Sequence, residues 1–178
     1  MKKYALISVY DKSKLKYLCT NLKKLNYEII STGNTSRYIQ KLGIKTIKLE
    51  KITKHNEILN GRVKTLHPNI HGSILFKRDV KSQVNEFKKL KVPEISLVVV
   101  NLYPFKKYSK RKLSEDKIIE MIDIGGSSLI RSAAKNYKYI NIISKISDYK
   151  VLIEELSTHG GTTINFRKKM AYNAFKQS

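Results

Sequence analysis

The feature that most constrains the fold is the apolar run ISLVVV at residues 95–100. Six residues are far too few for a membrane span, which needs about 20. A near-continuous apolar run is typical of a strand that is covered on both faces, and such strands occur in parallel sheets flanked by helices. The run therefore predicts an α/β protein in which this strand lies near the centre of the sheet.

The rest of the chain alternates between short apolar runs and amphipathic segments, as this fold requires. Further strands are predicted at 4–10, 27–31, 46–49 and 139–143. Helices are predicted at 14–25, 36–42, 68–76, 80–90, 114–121, 129–136 and 148–156, and from 163 onward. We expect residues 1–178 to form one domain, a three-layer α/β sandwich with a mostly parallel sheet and right-handed crossovers.

The helix predicted at 80–90 should bury one stripe, formed by Val84, Phe87 and Leu90. Cys19 falls on the apolar stripe of the first helix, which predicts a buried and unreactive thiol. No long apolar run and no signal peptide is visible, so we expect a cytoplasmic protein without membrane contact.

The charge is strongly positive, with 36 Lys and Arg against 14 Asp and Glu, a formal net charge of +22. Lysine is spread through every segment and accompanied by abundant isoleucine and asparagine, which indicates a coding bias. A nucleic-acid binder would concentrate these charges on one face, often between aromatic residues. We therefore expect weak attraction to polyanions and no specific nucleic-acid partner, with a genuine nucleic-acid function as the alternative.

A polar stretch, GRVKTLHPNIHG at 61–72, holds two cations, a hydroxyl and two imidazoles between glycines. Arg62 presents a planar fork of donors and Lys64 a point charge, which are complementary ways to hold a phosphate or a carbonyl oxygen. The alternative is a solvated basic loop. His67 and His71 are four residues apart and could share a zinc ion, although no nearby cysteine or acid suggests a third ligand.

Three other stretches follow predicted strands or precede predicted helices. STGNT at 31–35 resembles a phosphate cradle, because a helix start offers free N–H groups to an anion; the alternative is an ordinary turn capped by Thr35. NLYPF at 101–105 places polar side chains at a carboxyl strand end, where α/β sheets bind ligands. In DIGGSS at 123–128 the glycine pair would let a ligand approach the backbone.

Four strings, GRVKTLHP at 61–68, NLYPF at 101–105, IDIGG at 122–126 and RSAAKN at 131–136, together resemble the inosine monophosphate cyclohydrolase domain of bifunctional purine biosynthesis proteins. The similarity is collinear from residue 5 to residue 175. It implies a methylglyoxal-synthase-like fold, a homodimer and a reaction without metal or cofactor. That reaction closes the ring of 5-formamidoimidazole-4-carboxamide ribotide, a purine ribotide, to give inosine monophosphate, the last step of de novo purine biosynthesis.

The resemblance also implies the site residues. Those that bind substrate are Tyr10, Lys12, Thr32, Gly33, Asn34, Thr35, Arg62, Thr65, Asn101, Gly125 and Gly126. The catalytic residues are Lys64, Tyr103, Asp123 and Lys135. Asp123 would accept the amide proton, Lys64 and Lys135 would stabilise the oxygen, Lys135 would protonate the departing water, and Tyr103 would orient the amide or relay protons.

Two departures from the family pattern affect these expectations. Asn34 stands where the family usually has glycine; it tolerates positive φ but adds a side chain beside the phosphate, which predicts weaker binding. The family's second domain, which formylates the precursor, is absent, so the chain is a single-domain enzyme or a fragment, and a separate formyltransferase is a possible partner. A nucleotide-sensing domain of the same fold is the alternative function, because methylglyoxal synthase and a carbamoyl phosphate synthetase regulatory domain share this architecture.

Overall fold

The computed structural model describes residues 2–103, 105 and 114–178, and within them five strands form one parallel sheet. The strands are β1 (Lys3–Val9), β2 (Tyr27–Ser31), β3 (Ile47–Lys48), β4 (Ile95–Asn101) and β5 (Asn141–Ile143). Their order across the sheet is β3-β2-β1-β4-β5, and every pair is parallel. The predicted α/β fold is confirmed, with the apolar run of β4 paired on both sides.

The helices alternate with these strands along the chain. They are α1 (Leu15–Lys24), α2 (Gly33–Lys41), α3 (Glu50–Thr53), α4 (Pro68–Leu75), α5 (Lys81–Leu90), α6 (Glu115–Ile119), α7 (Ile124–Lys135), α8 (Tyr149–His159) and α9 (Ile164–Phe175), with 3₁₀ turns at Leu59–Gly61 and Ile146–Asp148. In the described part of the chain, none of these helices has the length and apolarity needed to cross a membrane.

Two hydrophobic cores lie on opposite faces of the sheet, because successive residues of a strand point to opposite sides. In β1, Ala5 and Ile7 belong to the core shared with α1 and α8, whereas Leu6 belongs to the core shared with α4 and α7. Helix α9 contributes to both, through Met170 and Ala174. Each fully buried Leu or Ile contributes about 1.5–3 kcal/mol to folding, so the two cores hold the sheet rigidly between its helix layers.

Two helices begin earlier than predicted. Helix α2 begins at Gly33 instead of 36, after the extended residue Thr32, and α7 begins at Ile124 instead of 129. The side chain of Asp123 caps α7, because its Oδ1 accepts a hydrogen bond from Gly126 N at 2.7 Å. Residues that we expected in loops before these helices therefore form their first turns.

Helix α5 is more peripheral than predicted, and the inward stripe assigned to it is wrong as stated. None of its residues is buried, and Leu90 is 38% exposed. Its apolar side packs on α4 and the chain after it: Leu90 approaches Gly72, and Phe87 stacks on Phe76 with ring centroids 4.1 Å apart. An amphipathic pattern identifies the apolar side of a helix, but not whether that side meets the sheet or another helix. Cys19, by contrast, is fully buried as predicted.

Candidate active site

The polar segments singled out in the sequence meet at the carboxyl edge of the sheet, because parallel strands all end there. Tyr10 follows β1, Thr32 follows β2, and Asn101 is the last residue of β4. The hydrogen bond from Tyr10 N to Asn101 O, at 3.3 Å, joins the ends of the two central strands. This edge is the candidate active site.

The predicted phosphate cradle falls on the first turn of α2. Gly33 has a φ of 42°, which favours glycine at the point where the chain turns from β2 into the helix. The first N–H groups of a helix have no intrahelical acceptor, and the helix dipole favours an anion beside them. Buried Thr32 is held there with its Oγ1 3.4 Å from Ser8 Oγ.

The side chains of Thr35 and Asn34 are engaged within the protein. Thr35 is buried inside α2, where its hydroxyl accepts from Val9 N at 3.1 Å and donates to Val9 O at 3.0 Å, so it is not the helix cap. Asn34 has an ordinary helical backbone, and its Oδ1 accepts from Arg37 at 2.6 Å. Both side chains are thus engaged within the protein, and the role of Thr35 and Asn34 in binding phosphate stays a prediction.

The loop after β1 is held by Asn101. Asp11 N donates to Asn101 Oδ1 and Asn101 Nδ2 donates to Asp11 O, both at 2.9 Å, so the amide continues the pairing of the two strands beyond their ends. The Lys12 ammonium donates to Tyr10 O at 3.0 Å. Hydrogen bonds from Ser13 lower the pKa of Asp11. We predicted that Asn101 binds substrate. In the structure, its hydrogen bonds to Asp11 hold the loop after β1, which the sequence alone does not reveal.

The loop before α4 spans the distance between α2 and α7. The Nζ atom of Lys64 lies 3.8 Å from the point that a Cβ on Gly33 would occupy. The next residue, Thr65, is buried, and its Oγ1 lies 2.5 Å from the point that a Cβ on Gly125 would occupy. Two adjacent residues of one loop thus touch the starts of both helices.

Arg62, in the same loop, points elsewhere. Its guanidinium makes a 3.1 Å ion pair with Glu120, just after α6, and its side chain is 62% exposed. An ion pair this exposed is weak, about 0–1 kcal/mol, and is easily exchanged for another anion. Arg62 therefore flanks the cluster formed by Lys64 and Thr65.

The glycine pair makes room for the protein's own atoms. A Cβ on Gly126 would collide with the Asp123 carboxylate and would lie 2.8 Å from Leu102, while one on Gly125 would collide with Thr65. We expected these glycines to admit a ligand. Instead they let the Asp123 carboxylate fold back as a cap and let the Lys64 loop pack against α7.

Two tyrosines lie together at the edge of this cluster. The rings of Tyr10 and Tyr103 are 4.7 Å apart between centroids and tilted by 48°. Burial, and then the negative charge of Asp123, raise the pKa of Tyr103. Both effects favour the neutral phenol, so Tyr103 keeps its proton beside the Asp123 carboxylate at physiological pH.

Lys135 is not brought into this cluster. It is the last residue of α7, whereas Asp123 caps the first turn, and at about 1.5 Å per residue the helix separates them by roughly 18 Å. Its side chain is exposed. In the sequence, Lys135 lies close to Asp123. The unbroken helix between them, however, carries Lys135 toward the opposite edge of the sheet.

The histidines of the loop have partners other than a metal. His67 Nδ1 accepts from Asn69 N at 3.1 Å, and His71 Nδ1 lies 2.9 Å from Ser132 Oγ. Among the residues that the structure describes, no three His, Cys, Asp or Glu side chains are grouped so that they could hold a metal ion. The contact of His71 with α7 could not be predicted from the sequence.

Comparison with known proteins agrees with this geometry. Residues 14–128 match the family model of the MGS-like domain, and residues 133–178 match that of the AICARFT/IMPCHase bienzyme. Curated relatives include the bifunctional purine biosynthesis protein PurH of Clostridioides difficile, 50% identical over 98% of this chain, and that of Streptococcus mutans, 45% identical over the whole chain. The chain spans about a third of the length of these relatives, 34% and 35% respectively.

The fold also matches a solved structure. The crystal structure of ForH superposes with a TM-score of 0.86 and 27% sequence identity, covering 99% of this chain and 93% of ForH. The family models and the identity to relatives over nearly the whole chain lead to one conclusion. The chain belongs to the MGS-like domain family, and within it to the cyclohydrolase-type domain of purine biosynthesis proteins.

Proposed function

We propose that this chain is an inosine monophosphate cyclohydrolase, which closes the ring of 5-formamidoimidazole-4-carboxamide ribotide with loss of water. The observation that carries the proposal is the bridge made by Lys64 and Thr65, which touch Gly33 at the cradle and Gly125 at the start of α7. A ribotide has a phosphate at one end and reacting groups at the other. The bridge joins the start of α2, which suits the phosphate, to the start of α7, which carries the Asp123 carboxylate.

In this proposal the phosphate binds the free N–H groups at the start of α2, with the ammonium group of Lys12 beside it. The phosphate group of the substrate does not react. Its binding energy instead holds the two reacting groups of the base in place, and proximity supplies much of the rate when an amide is a poor nucleophile.

At the other end, the carboxamide nitrogen attacks the formyl carbon and loses a proton, which Asp123 accepts. The formyl oxygen gains negative charge as the C–N bond forms, and Lys64 stabilises it. That oxygen takes up two protons before it leaves as water, in balance with the proton that the carboxamide nitrogen has lost and the one that the formamido nitrogen loses as the C=N double bond forms. Asp123 can return the first proton, and the second requires another donor. Because Lys135 lies at the far end of α7, we assign this proton to Tyr103 or Lys64 within one chain.

The proposed partners follow from the family resemblance and from the reaction. The chain would act as a homodimer, and a separate formyltransferase would supply its substrate if none is attached. We propose no metal and no cofactor, since a dehydration between two groups of one substrate needs only positioned acids and bases.

The test is ring closure by the purified chain, followed by ultraviolet absorbance after addition of the formylated ribotide. We expect turnover well above the uncatalysed rate, and no product from the unformylated precursor with a formyl-folate. Lys12→Ala should raise KM with little change in kcat, because it removes contact with a group that does not react.

The sensor alternative gives a different outcome. A folded preparation that binds inosine monophosphate but shows no ring closure would identify the domain as a ligand-sensing module. A Lys12→Ala change confined to kcat would instead contradict the phosphate assignment.

A further inference from the structure

The side chain of His67 caps the start of α4, directly after the loop that carries Lys64 and Thr65. His67 is the last extended residue before the helix, with a φ of −140° and a ψ of 138°, and Pro68 follows it as the first helical residue. Because proline has no N–H, the first free backbone donor of the helix belongs to Asn69. That N–H donates to His67 Nδ1 at 3.1 Å, so the imidazole is the N-cap of α4.

Further hydrogen bonds fix both partners of this cap. His67 N donates to Thr65 O at 2.9 Å, which joins the cap to the residue whose Oγ1 crowds Gly125. On the other side, Asn69 Nδ2 donates to Ile52 O of α3, also at 2.9 Å. The bond between His67 and Asn69 is therefore the central link in a chain of hydrogen bonds that ties the end of the loop to α3 and α4.

The cap bond decides which nitrogen of His67 carries the proton. A backbone N–H can only donate, so Nδ1 must be an acceptor, and the hydrogen of the neutral imidazole lies on Nε2. Protonation would place a second hydrogen on Nδ1, where it would face the N–H of Asn69, and the cap would be lost. The side-chain oxygen of an asparagine N-cap, by contrast, accepts this bond whatever the pH.

We propose that His67 is a positioning residue: its neutral imidazole holds the Lys64–Thr65 loop on α4, and protonation of the imidazole releases that loop. The inference rests on the proposed function, because it concerns how the proposed site is held. In the proposed reaction Lys64 stabilises the formyl oxygen, and a shift of about 1 Å in such a group can cost roughly 10²-fold in rate. His67 acts through the loop and contacts no reacting atom.

The charged and titratable groups that face His67 oppose its protonation. The ring of His55, which follows α3, lies 5.4 Å from that of His67 between centroids. Lys64 lines the cleft on the same side, and His71 and Arg131 line the cleft on the side of α7. No carboxylate lines either cleft in the described part of the chain. Burial, and then the charge of His55, lower the pKa of His67 below its usual value of about 6.5. The cap is therefore intact at neutral pH and is lost as the pH falls through the folded-state pKa.

The first test observes the cap in the intact protein and needs no activity. Nitrogen-15 chemical shifts of the His67 imidazole, assigned by comparison with His67→Asn, should show hydrogen on Nε2 and none on Nδ1 at pH 7. On acidification, the amide signals of Asn69 and Thr65 should shift with the same midpoint as the protonation of His67, and should not do so in His67→Asn. Hydrogen on Nδ1 at pH 7, or amide signals unaffected by the titration, would overturn the proposal. This result stands even if the wild-type chain closes no substrate ring, an outcome that would reject only the proposed function.

The second test compares His67→Asn with His67→Phe in the ring-closure assay at neutral pH. Asparagine is among the best N-cap residues, whereas phenylalanine fills the space of the imidazole without an acceptor. We expect His67→Phe to lower kcat by about 10–100-fold and His67→Asn to recover much of that loss. Equal kcat values for the wild type and His67→Phe would overturn the proposal, as would a loss in His67→Asn as large as that in His67→Phe.

The pH profile of kcat separates the cap from ordinary packing of the ring. In the wild type, kcat should fall on the acid side as His67 becomes protonated, in addition to any loss from protonation of Asp123. In His67→Asn this additional loss should be absent. The matched control is His159→Asn, which removes an exposed imidazole at the end of α8 and should keep the wild-type profile. An identical acid side in the wild type and His67→Asn would overturn the release of the loop by protonation.

Discussion

At the scale of single residues, the sequence identified the polar strings of the site but not the atoms that each side chain engages. Thr35 and Asn101 were predicted as substrate ligands, yet both form bonds to the backbone of the β1 end. A hydroxyl or an amide has the same chemistry in either role, so only its position relative to neighbouring strands distinguishes them. That position depends on strand register, which short motifs do not encode.

The tight contact at Gly125 gives a prediction about stability. Alanine is normally favoured over glycine in a helix by about 1 kcal/mol. At this position, however, its Cβ would lie 2.5 Å from Thr65 Oγ1, and overpacking costs about 1–3 kcal/mol. We therefore expect Gly125→Ala to be destabilising in urea unfolding. Gly161→Ala, where the added Cβ meets no atom within 4 Å, is the control and should be close to neutral.

A double-mutant cycle tests the cause of that loss. In a Thr65→Ala background the clashing hydroxyl is gone, so Gly125→Ala should cost less than in the wild type. The same cost in both backgrounds would show that the two residues do not interact as the structure describes.

At the scale of elements, strands and helices were predictable because their periodicity is local, and β2 was predicted at its observed bounds. The starts of α2 and α7 were not, because glycine and hydroxyl residues signal a loop until a cap is seen. The Asp123 bond to Gly126 N extends α7 to five residues before its predicted start. This shift matters for function, since it turns a predicted loop into a helix start and separates Lys135 from it.

Asp123 caps α7 and, in the proposed reaction, also accepts a proton; different substitutions can separate these two roles. Asparagine caps helices about as well as aspartate but cannot accept a proton as a base. Asp123→Asn should thus remain nearly as stable as the wild type while kcat falls by roughly 10²–10⁴-fold. Asp123→Ala should show the same kcat loss and an additional stability loss of about 0.5–2 kcal/mol.

Thr163 provides the matched control for the cap. Its hydroxyl accepts from Phe166 N at 3.2 Å at the start of α9, away from the proposed catalytic residues. Thr163→Ala should lose stability by a similar amount without changing kcat. Normal turnover in Asp123→Asn would remove Asp123 from the proposed chemistry.

At the scale of the whole molecule, the net charge of +22 predicts how the protein binds polyanions. Because lysine is dispersed, DNA and RNA should bind weakly, without sequence preference, and with an affinity that falls steeply as salt is raised. Fluorescence titrations with two unrelated oligonucleotides at several salt concentrations would measure this. Tight binding of only one of them at physiological salt would favour a nucleic-acid function.

Buried weak acids predict a loss of stability at alkaline pH. Burial raises the pKa of the Cys19 thiol to about 12 and also raises those of Tyr27 and Tyr149. The folded state thus holds these protons more tightly than the unfolded state. Their contribution is complete below the unfolded pKa values, near 8.5 to 10, and is lost as pH rises toward the folded values, at up to about 1.4 kcal/mol per pH unit for each group.

Urea unfolding between pH 8 and pH 11 would measure this slope. Tyr149→Phe removes one of the titrating groups while keeping the buried ring, so its stability should fall less steeply over the same range. An unchanged slope would exclude Tyr149 as a contributor.

The position of β1 in the sheet has a consequence for synthesis of the chain. β1 pairs with β2 almost at once, but its other edge waits for β4, whose register begins with Tyr4 opposite Ile95. A nascent chain on the ribosome therefore displays an apolar, unpaired strand edge until more than half of its residues have been translated. Such edges readily pair with other chains. Incomplete translation products that end before β4 should thus be the species most prone to aggregate and most dependent on chaperones.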